Sequence, residues 1–209
     1  MAQVTLAVND NLESAKRQQI LDGAKRCFLA QGFDGASMND IVKAAGVSKG
    51  TVYAYFPSKE KLFEALIFRD RRQQAEQTVV IERVERPIAE VLYDLAIRFG
   101  TLLKSEETVA YVRLVVAVAE KFPEIGQAFY EAGPAYGNAI IANYLQSKMD
   151  DGTLRQCDAA LAATQFVELI MCGLVKPKLF GAEKIAPKYE LEDVARSGIG
   201  LFLNGMAKA

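Results

Sequence analysis

Lys49 and Gly50 carry the most suggestive chemistry in this chain. They follow Ser48 within SMNDIVKAAGVSKGTVYAYFPSKEKLF, residues 37–63. A lysine in the first turn of a helix opposes the helix dipole, which favours negative charge there. A phosphate or the edge of a guanine would offset that cost, so Lys49 points to an external anion. A lone lysine is ordinarily a solvated surface residue, and only its setting argues otherwise. Gly50 has no side chain and leaves room for a partner to approach the backbone.

The elements that must present these residues can be read from caps and spacing. Ser37 suits an N-cap, with Asp40 three residues on. Ile41, Ala44 and Ala45 make a narrow apolar face that another helix can approach closely. Gly46 ends this helix, since glycine takes the left-handed conformation at little cost. Val47 plugs the turn and Ser48 caps a second helix. Val52 and Phe56, four apart, face inward; Lys49, Thr51, Tyr53 and Ala54 fall outward. Pro57 stops the helix, and Ser58 caps another with Lys59 in its first turn. Two helices joined by a short glycine turn form a helix-turn-helix, whose second helix can enter a DNA major groove.

From Ile20 to Leu66 the chain resembles the DNA-binding domain of the TetR family of bacterial transcription regulators. The resemblance is carried by an amphipathic first helix, the Gly32-Phe33 corner, the A-G-V-S turn, T-V-Y-A-Y-F and P-S-K-E-K-L. It implies an all-α fold, a homodimer on a palindromic double-stranded DNA operator, and an inducer pocket in the C-terminal part. It also implies that Lys49, Gly50, Thr51 and Tyr53 meet base edges, with Asn39 reaching the groove edge. Ser37, Ser48, Tyr55 and Lys59 would hold phosphates, as hydroxyls and ammonium groups near helix starts can. Tyr55 could equally prop the recognition helix. Ala54 departs from the bulky residue common at its position and offers at most a methyl contact. VRLVVAVAEKFPEIGQAFYEAGPAYGNAIIANYL is similar to the C-terminal domain of the AefR-like branch, through V-A-E-K-F-P-E and F-Y-E-A-G-P.

Composition narrows the remaining possibilities. A length of 209 residues allows a small DNA-binding unit, residues 1–60, and a larger ligand-binding and dimerisation domain, 61–209. Net charge is −1, but residues 1–72 carry eleven Lys/Arg against eight Asp/Glu. A mildly positive head on a negative body suits DNA. There is no histidine, which excludes Ser-His-Asp catalysis and His-ligated metal; no glycine-rich phosphate loop or paired metal ligands are seen. No enzyme, metal or cofactor is expected. Cys27, Cys157 and Cys172 are far apart and read as reduced thiols. The N-terminus lacks a basic start followed by an apolar run, and Ala159–Val175 is too short and too polar to span a membrane. A cytoplasmic protein is expected.

Along the chain, residues 1–12 read as an irregular, mobile arm. The first helix runs from about Ser14 to Gln31, with Ile20, Ala24, Cys27 and Phe28 inside. A long helix from Ser58 to roughly Arg83 begins apolar and ends polar; its Arg69, Arg71 and Arg72 read as a solvated face. Further helices are expected over Pro87–Lys104 and Glu107–Lys121, from Pro123 through a break or kink at Gly133-Pro134 and on over 135–149, and over 158–175 and 191–206, about nine in all. Residues 176–190 form a Pro-, Gly- and Lys-rich loop.

The homodimer is expected through helices 158–175 and 191–206. Phe99, Leu103, Tyr111, Leu114, Phe122, Phe129, Tyr130, Phe166 and Ile170 are candidates to line a pocket for a small apolar or amphipathic inducer. Each is also a plausible core residue, since aromatic stripes at helical spacing usually are. Gln165 and Glu168, within an apolar helix, are pocket or interface polars. Two functions remain open: a repressor released by an inducer, and a DNA-binding regulator whose C-terminal domain only dimerises.

Overall fold

A computed structural model describes the backbone of residues 2–81 and 86–207, and side chains from residue 14 onward. All regular elements among these residues are helical, as the apolar periodicity predicts. They are α1 (Ala2–Gly35), α2 (Met38–Ala45), α3 (Lys49–Tyr55), α4 (Lys59–Thr78), α5 (Ile88–Lys104), α6 (Glu106–Ala119), α7 (Pro123–Tyr130), α8 (Tyr136–Asp150), α9 (Ala159–Ile170), α10 (Lys176–Leu179) and α11 (Leu191–Met206). None is long and apolar enough to cross a membrane.

Two compact units form. The first contains residues 1–70 and 114–129, the second residues 71–113 and 130–209. The divisions fall within α4, within α6 and before the last residue of α7. Within α4 the reason is that it carries different faces along its length: Leu62, Phe63, Leu66 and Ile67 are wholly buried in the first unit.

In the first unit, helical backbone begins at Ala2. The stretch read as an irregular arm is therefore a helical extension; with no Gly or Pro before Gly23, nothing in it stops a helix. α1 breaks at Gly32, whose φ of 73° only glycine adopts readily. Beyond the break Phe33 turns inward and joins Phe28 and Phe63, with centroid separations of 4.6–5.8 Å. Cys27 is buried here, and burial pushes its thiol pKa up.

In the second unit, α5, α8, α9 and α11 enclose a core that includes Leu92, Leu95, Ile141, Leu145, Phe166, Ile170, Ile199 and Phe202. Gly198 allows α11 to reach α9 closely, since a Cβ there would stand 3.2 Å from the Leu169 carbonyl oxygen. At Gly133-Pro134, where a break or kink is expected, the backbone widens into a π-helical turn over Glu131–Ala135. That turn absorbs the proline without ending the run. The helix expected to reach Val175 ends at Ile170, and Gly173 follows with φ 73°. α4 ends at Thr78, and its expected limit, Arg83, lies outside the described residues.

The arginines of α4 are not a solvated face. Arg69, in the first unit, pairs with Asp22 at 2.8 Å. In the second unit the Arg71 guanidinium is buried 4.7 Å from the Tyr111 ring centroid, and Arg72 lies 3.3 Å from that of Tyr136. Aromatic faces hold these cations, a partner that charge patterning alone does not reveal. The segment 176–190 is fastened by Arg113, which donates to the Lys178 and Leu179 carbonyls, and by Lys178, which donates to the Lys104 carbonyl at 2.8 Å.

Candidate nucleic-acid interface

The interface is built upward from α1. Gly23, on its inner side, lies against the end of α2: a Cβ at this position would stand 2.6 Å from the Ala45 Cα. Gln19 donates to the Ala45 carbonyl at 2.7 Å, and Arg26 donates to that of Ala44. These side chains satisfy carbonyls that the end of α2 leaves without helical partners.

α2 starts with a full capping box. The Asp40 amide donates to Ser37 Oγ at 3.2 Å, and the Ser37 amide to the Asp40 carboxylate at 3.3 Å. Hydrogen bonds from Ser37, side chain first, hold the Asp40 carboxyl below its usual range. The helix stops at Gly46, with φ 64°, whose amide donates to the Val42 and Lys43 carbonyls; the Val47 amide also returns to Val42. This is the glycine stop that fixes the turn between the two helices.

α3 starts from Ser48, whose Oγ accepts the Thr51 amide at 3.0 Å and lies 2.7 Å from Thr51 Oγ1. Val52 is wholly buried and Phe56 nearly so, as the four-residue spacing predicts. The opposite side presents Lys49, Gly50, Tyr53 and Ala54 to solvent, with Thr51 and Tyr55 half-buried. The Lys49 ammonium lies 5.8 Å from the Tyr53 ring centroid. A Cβ on Gly50 would meet only Ser48 Oγ, at 3.9 Å. One helix end thus carries a cation, an aromatic hydroxyl and bare backbone on a single exposed surface, and Asn39 is exposed on α2.

The groups expected at phosphates sit differently from one another. Ser48 lies at the α3 start. The Ser37 hydroxyl donates to the Asp40 carboxylate within the capping box. The Tyr55 ring is 6.4 Å from that of Phe56, consistent with a prop for α3. The Lys59 ammonium donates to the Phe33 and Ala36 carbonyls, at 2.8 and 3.1 Å, and lies 4.5 Å from the Phe33 ring centroid. One of its three N–H groups is left for an outside acceptor.

The expected pocket residues are divided between the two units. Phe166 and Ile170 are wholly buried in the core of the second unit, where the Phe166 ring meets Phe202 at 5.3 Å. Phe99 packs at the edge of that core, and Leu103 is half-buried nearby in sequence. Tyr111 is buried beside Arg71. Tyr130 is 60% exposed. Leu114, Phe122 and Phe129 belong to the first unit, and the Phe122 ring lies 5.4 Å from that of Phe33, tilted by 58°. A surface recess in the second unit is lined by Val80, Arg86, Val91, Asp94 and Arg98, none of them expected from sequence. Gln165 and Glu168 are exposed on α9.

Sequence reasoning missed Gly23, Gln19 and Arg26 as residues that seat α2. Gly23 did carry a signal, because a glycine in mid-helix costs stability and usually has a packing reason. Gln19 and Arg26 carried none, since their acceptors are distant backbone carbonyls.

Comparison with known proteins agrees with this geometry. Residues 20–66 match the profile of bacterial regulatory proteins of the tetR family. Residues 90–205 match that of the AefR-like transcriptional repressor C-terminal domain. The HTH-type transcriptional repressor AcnR of Corynebacterium efficiens is 45% identical over 60 residues, covering 29% of this chain and 32% of AcnR. The chain thus matches about a third of the length of that curated relative. Among solved structures, a protein of Mesorhizobium loti assigned to the TetR family aligns with TM-score 0.84 and 28% identity, over 92% of this chain and 97% of its own. The flavonoid-responsive regulator FrrA aligns with TM-score 0.80 and 31% identity, over 94% of this chain and all of its own. The match to the C-terminal profile alone spans more than half of the sequence, and the chain belongs to the TetR family of bacterial transcriptional regulators, with a C-terminal domain of the AefR-like type.

Proposed function

We propose that the protein is a homodimeric repressor that reads a palindromic operator and is released by a small apolar or amphipathic inducer. The observation that carries the reading is the exposed start of α3. Lys49, Gly50 and Tyr53 lie together there, above a turn fixed by Gly46 and a helix seated by Val52 and Phe56. Base contacts in helix-turn-helix proteins come from this end of the second helix. Asn39, Lys49, Gly50, Thr51 and Tyr53 read bases; Ser37, Ser48, Tyr55 and the remaining N–H of Lys59 hold phosphates. Residues 1–60 are the reading domain and 61–209 bind ligand and dimerise.

The dimer forms through α9 and α11. Leu161 and Leu201 are 55% and 64% exposed on these helices. Gln165 and Glu168 share the open side of α9 and are interface polars. Two α3 helices then reach successive major grooves, roughly 34–36 Å apart along the DNA. An inducer releases the operator only if it binds the released state more tightly. FrrA is flavonoid-responsive, so flavonoids head the ligand panel. The decisive experiment sequences genomic DNA fragments retained by the purified protein. Enrichment of an inverted repeat supports the reading, and unselective retention of DNA overturns it.

One observation favours the alternative in which the body only dimerises. Phe166 and Ile170, two expected pocket liners, are fully enclosed by core side chains. Thermal stabilisation by a member of the ligand panel, together with loss of DNA retention, decides for the inducer.

A further inference from the structure

Residues 114–129 belong by sequence to the AefR-like domain, yet they fold with the DNA-reading unit. The second half of α6 and α7 form a tight helical hairpin there. The Lys121 and Phe122 amides both return to the Val118 carbonyl, and the Ile125 amide to that of Phe122. Gly126 permits the close approach, since a Cβ on it would stand 3.2 Å from Ala119 Cβ. Ile125 is wholly buried.

The tip of this hairpin meets the corner that sets the helix-turn-helix. The Phe122 ring lies 5.4 Å from Phe33, the residue that turns inward after the left-handed Gly32. Phe33 is held from other sides by the Phe63 ring, at 5.2 Å, and the Lys59 ammonium. Lys59 also clamps the Ala36 carbonyl, and the next residue, Ser37, caps α2. The chain of contacts therefore runs from Phe122 through Phe33 to the start of α2, whose far end leads through Gly46 into α3. Charges at the tip are complementary as well. Glu60, held low first by backbone and Ser58 hydrogen bonds, is further lowered by Lys121, while Glu124 adds to the raising of Lys61, which is due first to Glu64.

We propose that Phe122 is a positioning residue for DNA reading. It braces the Gly32–Ser37 corner from outside the helix-turn-helix domain and so sets the angle at which α2 and α3 meet the major groove. The proposal rests on the DNA-reading function above. Loss of the brace costs aligned base contacts, which carry the discrimination between sequences. Phosphate attraction, which carries non-specific binding, tolerates a change of angle.

The test uses full-length wild type, Phe122→Ala, Phe122→Leu and Phe122→Tyr, with the inverted-repeat fragment recovered from the genome and a scrambled fragment of equal length. Phe122→Ala is expected to lose about tenfold in affinity for the inverted repeat. Its affinity for scrambled DNA and its salt slope should stay at wild-type values. Hydrogen exchange at the amides of residues 33–41 should quicken, and Phe122→Tyr, which keeps the ring, should restore both properties. A wild-type ratio of specific to non-specific affinity in Phe122→Ala overturns the proposal and leaves the DNA-reading function standing. If circular dichroism shows Phe122→Ala unfolded, Phe122→Leu decides by the same ratio. Wild-type protein that cannot distinguish the two fragments defeats the DNA-reading function, and this proposal with it.

Discussion

Gly23 of α1 and Ala45 of α2 are in backbone contact, with no room between them for a side chain: the nearest atoms to a Cβ on Gly23 would be the Ala45 N and Cα, both at 2.6 Å. A methyl group at Gly23 must push α2 away from α1. Overpacking of this kind typically costs about 1–3 kcal/mol, which outweighs the helix propensity an alanine adds. Gly23→Ala is therefore expected to lower the chemical-denaturation midpoint. Gly50→Ala, where the outer side is open, should leave it unchanged or raise it. Equal stability of Gly23→Ala and wild type would contradict the contact.

Lys49→Ala and Tyr53→Ala separate reading from folding. Both side chains are exposed, so neither change should alter the denaturation midpoint or the oligomeric mass in light scattering. Each is expected to weaken specific binding in a gel shift by about tenfold or more, the scale of a lost base contact. Undiminished specific binding by both variants would remove α3 from the reading role.

Asp40 makes a pH-dependent contribution to the start of α2. Its folded carboxyl pKa is lowered by the hydrogen bonds from Ser37. A lowered carboxyl stabilises the folded state fully above its unfolded pKa, near 3.9. That contribution disappears as pH falls through the lower folded value. The stability difference between wild type and Asp40→Ala, measured by denaturation, should therefore be constant from about pH 5 to 7 and shrink below about pH 4. A difference that persists unchanged to pH 2 would show that the capping carboxylate contributes nothing through its charge.

Lys59 has a structural duty that can be measured apart from DNA. Lys59→Met keeps the apolar stem but leaves the Phe33 and Ala36 carbonyls without their shared donor. A loss of about 1–3 kcal/mol in unfolding free energy is expected. If the third N–H also holds a phosphate, Lys59→Met lowers affinity for specific and scrambled DNA by the same factor and reduces the salt slope by about one. A changed slope with unchanged stability would reverse the order of its two roles.

The helix-turn-helix was legible because its determinants are local. Ser37 with Asp40, Gly46, Ser48 and Pro57 act within three or four residues of themselves, and each appears where the spacing places it. The exposed and buried sides of α3 follow from Val52 and Phe56 alone. What sequence could not supply was tertiary partnership. Lys59 looks like any lysine at a helix start until the Gly32 corner brings two carbonyls to it. Arg71 and Arg72 look like solvated charge until Tyr111 and Tyr136 arrive from distant helices. Phe122 has the spacing of a core residue in the body, and only the fold of residues 114–129 shows that its ring packs beside Phe33. Apolar spacing marks Phe166 and Ile170 equally as cavity wall or as filled core, and only tertiary packing separates the two.

The hydroxyls of Ser48 and Thr51 are bonded to each other at 2.7 Å. Each hydroxyl owns a single proton, and one of the two must lie between the oxygens. The pair therefore has one proton to offer outward. When Ser48 gives it to a phosphate, Thr51 can present only lone pairs and its methyl group to a base. When Thr51 gives it to a base acceptor, Ser48 has none for the backbone. If Ser48 and Thr51 take the DNA contacts proposed for them, grip and readout at the start of α3 are alternatives drawn from one shared hydrogen, and the base facing Thr51 would help decide how tightly the adjacent phosphate is held.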